Sequence, residues 1–142
     1  MTVALSVSIA TPNSIWTLTD RRLTDKAGDA TDVCRIVGFD ATDGIGLIND
    51  AGLGLVNDTA AGDWIASVLE GLDTDVRGYM MALTDAVSSA SHTGWGPGSQ
   101  LLVAAAVADG QPVIYTLATG TTGELSLKCH ERPYAFMLAG TG

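Results

Sequence analysis

The second residue of the chain carries the groups of a self-activating nucleophile. Thr2 follows the initiator Met1, and removal of Met1 would leave a hydroxyl and a free α-amine on one residue. A free α-amine titrates near about 7.7–8.0, so a good fraction of it is unprotonated at neutral pH. Such an amine can accept the proton of its own hydroxyl, which is the N-terminal threonine form of nucleophilic catalysis. Thr2 is therefore the candidate nucleophile.

Basic residues gather near the end of the second predicted strand. Arg21, Arg22 and Lys26 are three of the seven lysines and arginines in the chain, and they lie beside Asp20. Arg35 lies on the next predicted strand. A cation near the nucleophile would lower the pKa of its hydroxyl and amine, and a carboxylate would hold that cation. The alternative interpretation is a group of surface ion pairs, which contribute little to stability.

The sequence contains no other recognisable set of catalytic or metal-binding residues. It has no Gly-x-Ser-x-Gly turn, no His-Glu-x-x-His pair and no two cysteines at zinc spacing. Cys34 and Cys129 lie in separate apolar stretches and form no metal motif with His92 or His130. We expect both cysteines to be buried reduced thiols, and we expect neither a metal ion nor an organic cofactor.

Strands must position the N-terminal residues. Val3, Leu5, Val7 and Ile9 alternate with small or polar residues, and this period of two indicates a half-buried strand. A turn and a second strand at 15–19 predict an antiparallel hairpin. Further strands are predicted at 33–37 and 45–48, with a polar loop at 24–32.

Helical spacing replaces this alternation in the middle of the chain. Asn57 or Asp58 is the predicted N-cap of a helix that ends near Gly71, and a second apolar face follows over 76–90. We expect the faces that carry Trp64, Tyr79 and Met80 to be core rather than interface. Strands return at 101–108, 113–117, 125–129 and 134–138. The acidic residues of the predicted turns are expected to be solvated: Asp40, Asp43, Asp73, Asp75 and Asp109.

The order of four strands, two helices and four strands predicts an α+β fold, with two stacked antiparallel sheets and helices on one outer face. The 142 residues are enough for one domain over 1–142 with its own core. The net charge of −9 argues against nucleic acid and anionic membrane surfaces as partners. No apolar run reaches the roughly 18–20 residues of a membrane helix, and the first residues lack the charged segment of a secretory signal. We expect a cytoplasmic protein.

Four segments resemble the opening of proteasome β-type subunits, which are N-terminal nucleophile (Ntn) hydrolases. The segments are residues 2–5, 20–24, 34–37 and 44–48, and the most specific match is the D-x-R-x-T pattern at Asp20, Arg22 and Thr24. Near the end, Gly140-Thr141-Gly142 is similar to the Gly-Ser-Gly of that family. The order of strands and helices also follows the family, so the resemblance covers the whole chain loosely.

The resemblance implies roles for individual residues. Thr2 would be the nucleophile and, through its amine, the base. Asp20 would orient the cation, Thr24 would contact the substrate backbone, and Thr141 would match the serine that supports the terminal amine. Asn49 and Asp50 would line the oxyanion or specificity side. The implied activity is that of a threonine-type peptidase or amidohydrolase that assembles with copies of itself.

The sequence departs from the family pattern at three places. Arg35 stands where the family has lysine, although Lys26 is an alternative cation, and Asp50 stands where the family usually has glycine. The resemblance also implies a further helix pair and further strands after Gly142, so we expect a partner chain or a missing piece. These departures favour the alternative of a non-catalytic homologue with a structural or assembly role. A third interpretation is an unrelated α+β binding protein.

Overall fold

Strands account for more than half of the residues that the structure describes, as the sequence pattern predicts. The computed structural model describes the backbone of residues 3–19, 22–24, 30–32, 36–90, 95–131 and 134–141, with side chains at 7–19, 36–90 and 95–131. The strands are β1 Val3–Thr11, β2 Ser14–Thr19, β3 Arg22–Thr24, β4 Ala30–Asp32, β5 Ile36–Ala41, β6 Gly44–Asp50, β7 Leu55–Val56, β8 Thr59–Ala60, β9 Gln100–Ala108, β10 Gln111–Thr119, β11 Leu125–His130 and β12 Tyr134–Thr141. The helices are α1 Ala61–Leu69 and α2 Val76–Ser89.

Two antiparallel sheets carry the fold. One has three strands in the order β12-β1-β2, and the other has five in the order β11-β10-β9-β6-β5. β1 and β2 contact β9 and its neighbours, whereas α1 and α2 contact β5, β6 and β11. The layers are therefore the three-stranded sheet, the five-stranded sheet and the helix pair. The predicted α+β class with helices on one outer face is confirmed.

The continuous apolar run of β9 follows from its position between these layers. Val103 and Ala105 are fully buried with Ile114 on the side of the three-stranded sheet, and Leu102 and Ala104 are fully buried on the helix side. A central strand that is covered on both faces needs apolar residues at every position. Burial of one such Leu or Ile side chain stabilises the fold by about 1.5–3 kcal/mol.

The helix pair is fixed to the sheet at one corner. The Asp43 carboxylate accepts a hydrogen bond from the Val76 amide at 2.8 Å, and the Asp43 carbonyl accepts one from the Asp109 amide at 2.7 Å. Asp75 is the N-cap of α2, and its carboxylate accepts from the Gly78 amide at 2.7 Å. Two of the acidic turn residues thus serve helix capping, in addition to the expected solvation.

Asn57 and Asp58 form a turn rather than the predicted N-cap. They join β7 to β8 with φ values of 50° and 62°, and the N-cap of α1 is Ala60. Asn and Asp tolerate the left-handed conformation that a two-residue hairpin turn demands, which is why the same residue types suit both structures.

Two further expectations were wrong. The predicted loop at 24–32 contains the short hairpin strand β4, which pairs with β3. Cys129 is an exposed thiol and not a buried one, while Cys34 lies outside the described residues. The expectation of a core position for Tyr79 and Met80 is confirmed, since both are buried. Within the described residues, no helix is long and apolar enough to cross a membrane.

In β1 and β2 the small and polar side chains are buried and the large apolar side chains are exposed, which is the reverse of the expected pattern for a half-buried strand. Ser8 and Ala10 are each 1% exposed and lie against the five-stranded sheet. The apolar positions face outward instead, with Ile9 36%, Trp16 66% and Leu18 63% exposed. Among the described residues, these side chains form an exposed apolar patch on the outer face of the three-stranded sheet.

Candidate functional site

The residues predicted for catalysis fall mostly outside the part of the chain that the structure describes. This holds for Thr2, Asp20 and Arg35. Thr24 and Thr141 lie in β3 and β12, whose backbones are described. Asn49 and Asp50, at the end of β6, are described in full.

The three-stranded sheet brings several strand ends to one edge. Thr141 in β12 pairs with Val3, which is the residue after Thr2 in the sequence. On the other side of β1, Ser6 pairs with Thr19, the last residue of β2 before Asp20. Three residues of strand separate Val3 from Ser6, or about 10 Å. The start of β1, the end of β2 and the end of β12 therefore lie together.

A buried polar network lies between the sheets near this edge. The Ser8 and Thr17 hydroxyl oxygens are 3.1 Å apart. The Asn49 side-chain amide donates to the Thr17 hydroxyl at 2.9 Å and to the Leu18 carbonyl at 3.3 Å. Asn49 is fully buried, so these bonds replace water that the amide would otherwise hold. Asn49 thus links the five-stranded sheet to Thr17 and Leu18, near the end of β2.

Polarity between the sheets increases toward the same edge. Ala10 pairs with Ile15 at the far end, and Ser8 pairs with Thr17 two residues nearer. Next comes Thr19, whose hydroxyl is buried and has no hydrogen-bond partner among the described residues. A buried hydroxyl without a partner is costly in a structural core. The interior of this end is therefore not built as an ordinary apolar core.

The five-stranded sheet shows the same trend on its facing side. Ile114 and Ala105 pair across β10 and β9 in an apolar row. One step along the inner face, the row contains Thr116, Val103 and Asn49, and two of these three are buried polar residues. Asn49 is among the residues predicted from the sequence for this site, whereas Ser8, Thr17, Thr19 and Thr116 are not. The alternation of Ser and Thr in β1 and β2 was the available signal.

Asp50 does not share a face with Asn49. Consecutive strand residues point to opposite sides of a sheet, and Ile48, two residues before Asp50, belongs to the core under the helices. Asp50 is 4% exposed, and its carboxylate accepts a hydrogen bond from the Leu53 amide at 2.8 Å. The backbone amides of Ala51 and Gly52 both donate to the Leu101 carbonyl. Asp50 therefore holds the turn at the end of β6.

A separate polar contact lies on the helix side of the sheet. Tyr115 pairs with Cys129 across β10 and β11. Burial raises the pKa of the Tyr115 hydroxyl, and the neighbouring Cys129 adds to this rise. Cys129 is an exposed residue, but partial desolvation of its sulfur raises the pKa of the thiol. A raised thiol pKa lowers the thiolate fraction at neutral pH, which does not suit a nucleophile.

The described residues contain no group of three or more His, Cys, Asp or Glu side chains that could hold a metal ion. Between the two sheets, near the end of β2, the described residues provide neutral hydrogen-bond donors and acceptors: Ser8, Thr17, Thr19, Asn49 and Thr116. Hydroxyl and amide groups of this kind can orient backbone and bound polar groups, but they cannot by themselves supply a base near neutral pH. Acid–base catalysis at this end of the sheets would require a titratable group from another part of the chain.

Two solved structures of Anbu from Hyphomicrobium sp. strain MC1 have a similar fold. A mutant designated Gly-1 aligns with a TM-score of 0.58 at 10% sequence identity, over 95% of this chain and 59% of its own. The other aligns with a TM-score of 0.55 at 11% identity, over 96% of this chain and 60% of its own. Anbu is a proteasome-related protein of the Ntn-hydrolase type.

This likeness concerns the fold, because the sequence identity is low. The chain spans about three fifths of the length of these Anbu chains. No protein-family model matches the sequence, and no curated protein matches it significantly.

Proposed function

We propose that residues 1–142 form a proteasome-like Ntn hydrolase subunit, which cleaves peptide or other amide bonds with Thr2 as nucleophile after Met1 is removed. The observation that supports the proposal most directly is the buried polar network of Ser8, Thr17 and Asn49. It lies toward the strand ends from which the chain continues to Thr2 and Asp20. The fold shared with Anbu gives independent support.

In the proposed reaction the Thr2 hydroxyl oxygen adds to the substrate carbonyl carbon while the Thr2 α-amine accepts the hydroxyl proton. The C–N bond then breaks, and the proton passes to the leaving amine. Water attacks the resulting ester, which releases the acid and regenerates Thr2. No cofactor takes part in these steps.

Two charged residues are proposed to tune the nucleophile. Arg35 lowers the pKa of the Thr2 amine through its positive charge, and Asp20 orients the guanidinium. Because arginine stays protonated, Arg35 acts through its charge and carries no proton. Thr141 supports the terminal amine, consistent with the pairing of Thr141 with Val3.

The remaining candidates are proposed to serve the substrate side. Thr24 contacts the substrate backbone. Asn49 is a positioning residue there, because its amide anchors the Leu18 carbonyl near the end of β2. Asp50 contributes through the turn that its carboxylate holds at Leu53.

The mass of the intact purified protein is the first test. A protein lighter by one methionine, with Thr2 at its amino end, is the expected result. A covalent inhibitor that reacts with N-terminal threonine should then modify Thr2 and no other residue. Retention of Met1, or the absence of labelling in a well-folded sample, would contradict the enzymatic proposal.

The Asp20→Asn variant tests the proposed charge pair. Labelling should be abolished, because the cation beside Thr2 would no longer be held. Asp73→Asn is the matched control, since it removes the same charge from an exposed loop and should leave labelling unchanged. Unchanged labelling of the Asp20 variant would refute the proposed roles.

A non-catalytic homologue with an assembly role is the second candidate function. Arg35 in the position of the family lysine favours it, and so does the exposed apolar face of β1 and β2. This candidate predicts a folded, assembled protein that is inert to the inhibitor, whether or not Met1 is removed. Retention of Met1 would exclude the enzyme, and labelling of Thr2 in a protein that has lost Met1 would exclude the non-catalytic candidate.

For both candidates we propose self-association through the outward face of the three-stranded sheet, defined by Val7, Ile9, Trp16 and Leu18. Trp16→Ser combined with Leu18→Ser should shift the protein toward the monomer in sedimentation velocity. Met81→Ser is the control, because Met81 is 46% exposed but lies on α2. Equal sedimentation of the double variant and the wild type would exclude this face.

A further inference from the structure

The residues proposed to act together in catalysis adjoin two different sheets. Thr2 directly precedes β1 and Asp20 directly follows β2, and both of these strands belong to the three-stranded sheet. Arg35 directly precedes β5, which belongs to the five-stranded sheet. The distance between the Asp20 carboxylate and the Arg35 guanidinium in the proposed mechanism therefore depends on how the two sheets are held relative to each other.

Hydrogen bonds of Asn49 join the two sheets close to these strand ends. The Asn49 side-chain amide donates to the Thr17 hydroxyl at 2.9 Å and to the Leu18 carbonyl at 3.3 Å. Asn49 pairs with Ile36 across β6 and β5, so it lies beside the first residue of β5. Thr17 is three residues before Asp20, or about 10 Å along an extended strand. The bond between Asn49 and Thr17 thus joins the sheets within a few residues of both proposed charges.

The Thr17 hydroxyl is the centre of this contact. Its oxygen accepts a hydrogen bond from the Asn49 amide and lies 3.1 Å from the Ser8 hydroxyl oxygen. Because a hydroxyl can accept and donate at the same time, Thr17 can give its own proton to Ser8. Ser8 is 1% exposed and Asn49 is fully buried. One hydroxyl group therefore connects buried polar side chains of β1 and β6 through β2.

The polar contact constrains the sheets more narrowly than the apolar packing beside it. Farther from the strand ends, Ala10 of the three-stranded sheet packs on Ala105 and Ile114 of the five-stranded sheet. Apolar contacts of this kind are non-directional. A hydrogen bond instead requires a donor–acceptor distance within a few tenths of an ångström and a nearly linear angle. The bond between Asn49 and Thr17 therefore fixes the position of β2 over β6.

We propose that Thr17 is a positioning residue for the hydrolysis, because its hydroxyl holds β2 on β6 at the spacing that the pair of Asp20 and Arg35 needs. This inference rests on the proposed function. Thr17 pairs with Ser8, which is six residues from Thr2 in the sequence, or about 20 Å along an extended strand. Thr17 therefore acts through the charged pair and does not touch the nucleophile.

Two substitutions of Thr17 test this role in the full chain. Thr17→Val removes the hydroxyl, keeps the branched shape of the side chain and suits a strand. Labelling of Thr2 by the covalent inhibitor should slow at least about tenfold in this variant, because small displacements of catalytic groups have large effects on rate. Thr17→Ser keeps the hydroxyl and should restore the rate to within about threefold of the wild type. Equal labelling rates of Thr17→Val and the wild type would overturn the proposal.

The pH dependence of labelling separates positioning from a general loss of stability. In the proposed mechanism the Arg35 charge lowers the pKa of the Thr2 amine. Displacement of that charge should let the pKa rise toward about 7.7–8.0, so the inflection of the labelling rate should move to higher pH in Thr17→Val and not in Thr17→Ser. Ile114→Val is the matched control, because it shortens a buried side chain between the same sheets. It should lower the urea midpoint without moving the inflection, and an equal shift in both variants would contradict the proposal.

Hydrogen exchange tests the contact without any reaction at Thr2. The side-chain amide protons of Asn49 should exchange at least about tenfold more slowly than those of the exposed Asn57 in the wild type, and Thr17→Val should speed their exchange. Equal exchange at Asn49 and Asn57 would overturn the proposal. A labelled wild type whose rate does not depend on Thr17 would overturn this inference alone. An unlabelled wild type would overturn the hydrolysis and, with it, the positioning role of Thr17.

Discussion

Replacement of Asn49 by aspartate tests the buried polar network through its dependence on pH. The native amide donates to the Thr17 hydroxyl and the Leu18 carbonyl from a fully buried position. A carboxylate of the same shape could accept from Thr17, but it would point an acceptor at the Leu18 carbonyl. Asn49→Asp therefore loses one hydrogen bond, or about 1 kcal/mol, even when the new carboxyl is neutral.

Ionisation of the new carboxyl adds a larger cost. Burial raises the pKa of a carboxyl by up to about 3–5 in fully buried sites. With a moderate rise of about two, at about 1.4 kcal/mol per pKa unit, the ionised variant loses nearly 3 kcal/mol more. The folded pKa lies above the unfolded value of about 3.9, so stability is lost as the pH rises between the two values. The total loss near neutral pH is then about 4 kcal/mol.

The assay is urea unfolding, followed by tryptophan fluorescence from about pH 5 to about pH 8, for variant and wild type at each pH. The acidic limit keeps the protein above its isoelectric point of ≈ 4.2. Asn57→Asp is the control, because Asn57 is exposed in the turn between β7 and β8 and undergoes the same chemical change. A free-energy difference for Asn49→Asp that does not change with pH, or that equals the control, would refute the reasoning.

Three further substitutions test the packing of other elements. Gly46→Ala should destabilise the protein by about 1–3 kcal/mol in urea unfolding, because its Cβ would overlap the Phe39 ring. Asp75→Ala should cost about 1 kcal/mol, measured by thermal unfolding, because α2 loses the cap on the Gly78 amide. Above about pH 10 the wild type should lose stability, because the buried Tyr115 phenol stays protonated in the folded state while the unfolded chain releases its proton. Tyr115→Phe has no phenol and should not show this loss.

Matched controls make these results specific. Gly38→Ala lies on the paired strand, and its Cβ would meet the Leu47 side chain at 3.5 Å, an ordinary contact. It should leave stability nearly unchanged, and equal losses at Gly38 and Gly46 would contradict the overlap argument. Asp73→Ala removes an exposed charge from the same loop as Asp75 and should have no effect. For Tyr115, a variant that loses stability at alkaline pH as steeply as the wild type would exclude the phenol as the cause.

Local signals in the sequence predicted where the strands and helices lie better than they predicted which face of each strand is buried. The change of period predicted both helices, and Asp109-Gly110 predicted the hairpin of β9 and β10, where both residues have positive φ. These signals work because turn chemistry and amphipathic spacing are local properties. Alternation in β1 shows that the strand has two different faces, but the packing of a distant sheet decides which one is buried. The burial of Ser8 in place of Ile9 therefore could not be predicted.

The candidate site could be predicted only in part for a related reason. Asn49 was identified as a site residue, but its bonds to Thr17 and Leu18 join residues more than thirty positions apart, and no spacing rule encodes such contacts. Asp50 was grouped with Asn49 because the two are adjacent in sequence, although a strand sends them to opposite faces. The roles of Thr2, Asp20 and Arg35 stay predictions.

The corner at Asp43 has a consequence for how the protein opens. Its carbonyl and its carboxylate join the turn after β9 to the first turn of α2, through the amides of Asp109 and Val76. Two hairpins and the helix layer are thus tied by one residue, so none of them can separate without breaking these bonds. We expect the amide protons of Val76 and Asp109 to exchange with deuterium at the same opening free energy, as one cooperative unit. Asp43→Ala should divide that unit, so that the helix amides exchange before those of the sheet.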